Sequence, residues 1–374
     1  MRKKYYIIAG EASGDMYGAS LVNAMIKLNP ETEFRGFGGE KMKNAGVNIT
    51  LGIDRLAIFG FFEVLLNFKR LLSYFTVAKK EILEFQPDAV IFIDYPGFNM
   101  RMAKWAKENH IKVYYYIAPK VWAWGKNRIE TLKKYVDKLF LILPFEKEFF
   151  KKHGVDAVYV GNPLLEEINK YNFDPGFSLK HNIPSEKIKI AFFPGSRINE
   201  LKKNIEPLVP LIRNSQNMIF LIAARSDVKF KKLKELKNYE NVRIIYDQNY
   251  DILKLADAGI IKSGTASLEA VIFRLPHVVI YKTGLINQLI MEPIIRRLKF
   301  SSLVNLILDK MSVKELFQNR VNPYYVDMEL QKTLEPVNRK RMLDDFDQCI
   351  NSIMIKKYPS ELVAEHILSD NLKI

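Results

Sequence analysis

The feature that most constrains the fold is a recurring unit: a short, largely apolar run, a turn, then a helical pattern. In the first half the runs are Tyr5–Ala9, Ala89–Ile93, Lys112–Ile117, Lys138–Leu143 and Ala157–Val160, with a short strand at Glu33–Gly36. Helical patterns lie between them at Met16–Leu28, through Phe85, and at Arg101–Asn109, Asn127–Tyr135 and Glu146–Lys152. Runs this apolar read as strands buried on both faces, and their alternation with helices specifies βαβ units and a parallel sheet. A second series begins at Ile188–Phe193 and continues through Met218–Ala223, Val242–Tyr246, Gly259–Ile261 and Val278–Tyr281. Between the series, Asn172–Lys187 carries Pro175-Gly176 and Pro184 and reads as a linker. The tail reads as helices over Tyr324–Ile355 and Ser360–Leu368. The expectation is an α/β chain of two Rossmann-like lobes facing a cleft. Residues 1–170 form one lobe and 171–349 the other, with a C-terminal helix at about 350–374 crossing back to the first.

Several chemistries are excluded early. The single cysteine, Cys349, rules out a disulfide framework and a cysteine-based metal cluster, and fits a reducing compartment. The apolar run after the basic N-terminus is too short for a signal peptide, so a cytoplasmic protein is expected. The net charge of +15 is spread over both halves, with +8 in residues 1–160, and no zinc-finger or RRM-type signature accompanies it. Anionic lipid surfaces or phosphorylated substrates suit this distribution better than nucleic acid, and a generally basic proteome would also give it. No run is long and apolar enough to span a bilayer. Leu56–Phe75 comes nearest, interrupted by Glu63, Lys69 and Arg70. Its Phe59, Phe61, Phe62, Leu65, Leu66, Phe68 and Leu72 suit a helix in the membrane interface, a groove for acyl chains, or a packed interface.

In open α/β sheets ligands sit at the carboxyl ends of strands. After the first strand, Gly10-Glu11-Ala12-Ser13-Gly14-Asp15 allows close backbone approach, with Ser13 or Asp15 able to cap the next helix. Asp94 ends a wholly apolar strand, where a desolvated carboxylate could serve as general base, cap a helix near Asn99, or pair with a lysine. The five histidines do not cluster, so a carboxylate is the favoured base. Two tryptophans, Trp122 and Trp124, follow the Lys112–Ile117 run and suit either an acceptor pocket or a domain interface. Pro194-Gly195-Ser196-Arg197 offers an anion a hydroxyl, a guanidinium and a helix N-terminus, or else is an ordinary βα turn. Ser263-Gly264-Thr265-Ala266 opens another helix, with Glu269 one turn in and placed for ribose hydroxyls; a simple cap is the alternative. Two such junctions in one lobe point to a nucleotide diphosphate. No Asp-X-Asp motif lies near, which leaves Arg197 and the helix dipole to neutralise the charge.

These stretches together resemble the lipid-A-disaccharide synthase family, inverting glycosyltransferases of two-lobed GT-B architecture. The resemblance runs to about residue 320 and includes Val121-Trp122-Ala123-Trp124, Leu143-Pro144-Phe145-Glu146 and Leu303-Val304-Asn305-Leu306. It implies transfer of a glucosaminyl unit from UDP-2,3-diacylglucosamine to the 6-hydroxyl of 2,3-diacylglucosamine 1-phosphate; no metal or cofactor is expected. It also implies Asp94 as base, Ser196 and Arg197 on the diphosphate, and Thr265, Glu269 and Asn305 on the nucleotide. Ser13, Gly14 and Asp15 would face the cleft. Peripheral association with the cytoplasmic face of the inner membrane, and a homodimer exchanging C-terminal elements, complete the implication. Gly97 stands where the family often has an Asp, and Asn162 where a His is common. The rival classes are another GT-B UDP-sugar enzyme, such as a UDP-N-acetylglucosamine 2-epimerase or a soluble-acceptor glycosyltransferase, and a non-catalytic basic membrane-binding protein.

Overall fold

The computed structural model describes residues 2–56, 68–123, 127–284 and 299–370. Two compact units are present: Met1–Glu166 with Ile353–Ile374, and Glu167–Ser352. The first is built on seven strands: β1 (Lys4–Ala9), β2 (Glu33–Gly38), β3 (Asn48–Gly52), β4 (Ala89–Ile93), β5 (Lys112–Tyr116), β6 (Lys138–Leu141) and β7 (Ala157–Tyr159). Their order is β3-β2-β1-β4-β5-β6-β7, and every pairing is parallel. The second holds β8 (Ile188–Phe193), β9 (Met218–Ala224), β10 (Val242–Tyr246), β11 (Ala258–Lys262), β12 (His277–Tyr281) and β13 (Glu315–Phe317). These order as β10-β9-β8-β11-β12-β13, again all parallel. The α/β expectation of two Rossmann-like sheets is met.

Burial explains the apolar runs. Residues Tyr5–Ala9 and Ala89–Ile93 are all fully buried, because helices cover both faces of the sheet. Tyr6, Ile8 and Phe92 share a core with Leu71, Phe75 and Phe98 on the flanking helices. The chain returns to this unit at its end. The helix Pro359–Asp370 packs on the helix Ala12–Leu28 and buries Val363, Ala364 and Ile367.

Four departures from the sequence reading have physical causes. The first helix begins at Ala12 rather than Met16, which places Ser13, Gly14 and Asp15 inside it. A Cβ on Gly14 would lie 3.3 Å from Ala9 Cβ, so this glycine lets the helix start flush against β1. The tail helix is two helices, Pro323–Leu334 and Pro336–Ile353, because Pro336 cannot continue the first and suits the start of the second. Phe177 and Ile183, inside the stretch read as a linker, are buried in the core of the second unit. Strands β3 and β13 were missed as short edge strands.

The stretch Leu56–Phe75 is described only at its ends. In the helix Phe68–Phe85, Leu71, Tyr74, Phe75, Ala78 and Ile82 are buried at helical spacing, so this part of the apolar surplus serves the core. Leu72, on the other side, is 46% exposed. Phe59, Phe61, Phe62, Leu65 and Leu66 lie outside the described residues, as does Trp124. Among the described residues no helix is long and apolar enough to cross a membrane.

Candidate functional site

Each sheet has one point where strand order reverses, between β1 and β4 in the first and between β8 and β11 in the second. A crevice opens at such a point because the flanking connections leave to opposite sides. The four loops singled out in the sequence fall at these two places. Gly10–Asp15 and Asp94–Asn99 follow β1 and β4, and Pro194–Arg197 and Ser263–Glu269 follow β8 and β11.

At the first switch point the backbone is strained. Asp94 and Tyr95 both adopt left-handed conformations, at φ 46° and 49°, and Ile117, just past β5, does the same at 67°. Non-glycine residues rarely hold this conformation, least of all β-branched ones. The surroundings enforce it. The Asp94 carbonyl accepts hydrogen bonds from Asn99 Nδ2 at 2.8 Å and from the Tyr115 hydroxyl at 2.7 Å. The Asp94 N–H donates to the Tyr116 carbonyl at 3.0 Å. The Tyr95 ring stands over Gly10, where an added Cβ would meet it at 2.3 Å, and its hydroxyl donates to the Leu56 carbonyl.

This clamp leaves the Asp94 carboxylate in a desolvated setting. Burial raises its pKa, while the Lys120 charge and the Tyr95 backbone N–H pull in the other direction. A base with a raised pKa and a cation beside it can take a proton from a sugar hydroxyl near neutral pH. Asp15, in contrast, is committed to structure. Its carboxylate accepts from the backbone N–H groups of Gly39 (2.7 Å), Met42 (3.0 Å) and Lys41 (3.1 Å), capping the helix Glu40–Asn44. Ser13 and Gly14 occupy the first turn of a 17-residue helix, whose unpaired N–H groups carry partial positive charge.

Glu146 is a group that the sequence reading quoted as part of a motif but gave no role. It is 1% exposed, and burial pushes its pKa up to about 7 against hydrogen bonds from Trp122 and the backbone. Trp122 Nε1 donates to it at 3.0 Å and the Leu143 N–H at 3.1 Å. Lys120 acts electrostatically on Glu146 as well as on Asp94, so the loop after β5 links two carboxylates. The available signal was a Pro-Phe-Glu at a helix start following an apolar strand, with an indole nearby in sequence.

At the second switch point glycine does the turning. Gly195 has φ 121° and Gly264 φ 147°, both inaccessible to ordinary side chains without strain. Ser196 and Arg197 are exposed at the start of the helix Ile198–Ile205. Gly264 is the N-cap of the helix Thr265–Ile272, and a Cβ there would meet nothing within 4 Å. Open space beside a bare backbone is what close approach of a phosphate needs. Thr265 is exposed, whereas Ser267 turns back to the Gly264 carbonyl at 2.8 Å. The Ser263 hydroxyl donates to the Ser301 carbonyl at 3.2 Å. Ala266 is half-buried against the core of the unit. Glu269 has its pKa pushed up to about 7 by burial, with the Tyr250 hydroxyl hydrogen bond opposing.

Asn305 is fully buried and internally engaged. Its Nδ2 donates to the Val313 carbonyl and to Glu315, and its Oδ1 accepts from the N–H groups of Ser312 and Val313. Its side chain therefore organises the segment after β12 rather than presenting itself to solvent. Among the described residues no group of three or more His, Cys, Asp or Glu is placed to hold a metal ion.

Comparison with known proteins gives three findings. A family profile described as lipid-A-disaccharide synthetase matches residues 5–364. The lipid-A-disaccharide synthase of Syntrophus aciditrophicus is 34% identical over 350 residues, covering 92% of this chain and 91% of that protein. Among solved structures, the S. aureus MnaA–UDP co-structure has a TM-score of 0.71 at 14% identity, covering 100% of this chain and 98% of the other. The calicheamicin glycosyltransferase has a TM-score of 0.63 at 14% identity, with both chains covered fully. At that identity the structural likeness concerns the fold alone.

Proposed function

The chain belongs to the lipid-A-disaccharide synthase family, and on that premise we propose how its residues carry the reaction. It is a glycosyltransferase of lipid A disaccharide synthesis, with a UDP-sugar as donor. In our reading the donor is UDP-2,3-diacylglucosamine and the acceptor 2,3-diacylglucosamine 1-phosphate. The acceptor 6-oxygen attacks the anomeric carbon, the bond from that carbon to the diphosphate oxygen breaks with inversion, and UDP leaves. Asp94 receives the hydroxyl proton. Burial raises its pKa and so strengthens it as a base, while the Lys120 charge opposes that rise.

Arg197, Ser196 and the helix starting at Thr265 stabilise the departing diphosphate, and Glu269 addresses the ribose. The observation that carries this reading is the position of all four loops at the two switch points. Asp15 and Asn305 act in it as positioning residues, since hydrogen bonds inside the fold occupy their side chains. The test is an assay with the two acylated sugars that follows UDP release and disaccharide formation together. Equimolar appearance of both is expected. UDP release without disaccharide would refute the assignment.

The acylated substrates also need access from a bilayer. We assign that contact to the apolar stretch holding Phe59, Phe61, Phe62, Leu65, Leu66, Phe68 and Leu72, at the cytoplasmic face of the inner membrane. Sedimentation with anionic vesicles should fall severalfold when Phe59, Phe61 and Phe62 become serine, and unchanged sedimentation would remove the assignment. A homodimer exchanging C-terminal elements would supply the helix Pro359–Asp370 from its partner. Light scattering at two protein concentrations tests it, and a monomer at both would exclude it.

A further inference from the structure

Glu200 lies on the donors that a phosphate would use. It sits in the first turn of the helix Ile198–Ile205, and its Oε2 accepts the Ser196 N–H at 3.0 Å. Its Oε1 is 3.4 Å from Arg197 and 3.0 Å from Lys262 Nζ. An added Cβ on Gly195 would lie 2.5 Å from Oε2, so the carboxylate rests directly on the turn. A plain N-terminal cap would need only the backbone contact. This one also draws in a lysine from another strand. Lys262 is the last residue of β11, whose Ile261 pairs with Phe193 at the end of β8, so it stands level with the turn. Its side chain is 24% exposed and that of Glu200 19%, which makes the pair less screened than a surface bridge. Among the described residues, Tyr281 also interacts electrostatically with Glu200.

We propose that Lys262 is a further diphosphate-binding residue and that Glu200 competes with the ligand for it. Two anions cannot share the Ser196 N–H, so a phosphate that takes this donor displaces the carboxylate. Lys262 and Arg197 then pass from carboxylate to phosphate, and both charges stay paired throughout. Glu200 thereby sets the affinity of the turn for anions and disfavours weak ones such as inorganic phosphate. The inference rests on the nucleotide reading above.

The test is calorimetry of UDP binding to wild type, Lys262→Met, Lys262→Arg and Glu200→Gln, with uridine binding followed by ligand-observed NMR. Lys262→Met should weaken UDP about tenfold, Lys262→Arg should restore most of that, and Glu200→Gln should tighten UDP severalfold. Uridine should bind all four alike. A UDP affinity in Lys262→Met within twofold of wild type, in a protein with unchanged melting temperature, would overturn the role of Lys262. Weaker UDP binding by Glu200→Gln would show that Glu200 is a positioning cap and not a competitor. Wild type that binds uridine and UDP equally, or neither, would overturn the nucleotide reading itself.

Discussion

The two switch points solve opposite problems with opposite materials. The second unit turns its backbone with Gly195 and Gly264, leaves space beside Gly264, and keeps Ser196, Arg197 and Thr265 exposed. The first turns with Asp94, Tyr95 and Ile117 in left-handed conformations, with Tyr115 and Asn99 bonded to the Asp94 carbonyl, and buries Asp15 and Glu146. A fixed anion needs donors and access, which glycine and a helix N-terminus provide at low cost. Proton removal needs a carboxylate held out of water in one geometry, and that requires strain and desolvation maintained by the rest of the fold.

The sharpest way to break this contrast is Asp94→Asn, which keeps the left-handed preference but cannot accept the proton. Turnover should fall by about 10²–10⁴. Steady-state rates in a folded variant check it, and near-wild-type turnover would remove Asp94 as base. Next in size is Arg197→Ala, expected to cost on the order of 3 kcal/mol of transition-state stabilisation, read as kcat/KM. An effect confined to KM would mean that Arg197 holds the donor without helping the departure of UDP.

Gly264→Ala probes the second switch point without a clash, since nothing lies within 4 Å of the new Cβ. Conformational strain alone should cost about 1–3 kcal/mol of stability, measured by denaturant unfolding, and UDP affinity should drop because the approach to the backbone narrows. A stable variant with normal affinity would show that this turn is no ligand site.

Two pH effects sharpen the picture of the first switch point. Lys120 lowers the Asp94 pKa, so Lys120→Met should move the acid limb of the pH–rate profile to higher pH. An unmoved limb would separate Lys120 from Asp94. The carboxyl of Glu146 rises from 4.5 to about 7 on folding. The native state therefore binds the extra proton between those values, and stability falls as pH rises through about 4.5 to 7. Glu146→Gln should flatten that window by up to about 3 kcal/mol, as seen in unfolding midpoints at pH 5 and pH 8. The same slope in both proteins would assign it elsewhere.

How much of this was legible follows from the same contrast. Strand β8 was read with its observed bounds, and β4 likewise, because short runs this apolar, broken only by Lys189 in β8, admit little else. The glycine turns of the second switch point were visible because glycine announces its conformation. The left-handed Asp94, Tyr95 and Ile117 were not visible, since their conformations are imposed by Asn99, Tyr115 and the paired strands. Glu146 and Lys262 were missed because each acquires its role from a residue distant in the chain, Trp122 in one case and Glu200 in the other. The early start of the first helix escaped notice because Ser13 and Gly14 are poor helix formers on their own. Contact with β1 outweighs that preference.

The division of labour between the switch points is tested most directly by UDP affinity in Asp94→Asn and Arg197→Ala, measured side by side by calorimetry. The expected result is wild-type affinity, within about twofold, in Asp94→Asn and at least tenfold weaker binding in Arg197→Ala. UDP binding lost with Asp94→Asn, or kept with Arg197→Ala, would contradict it.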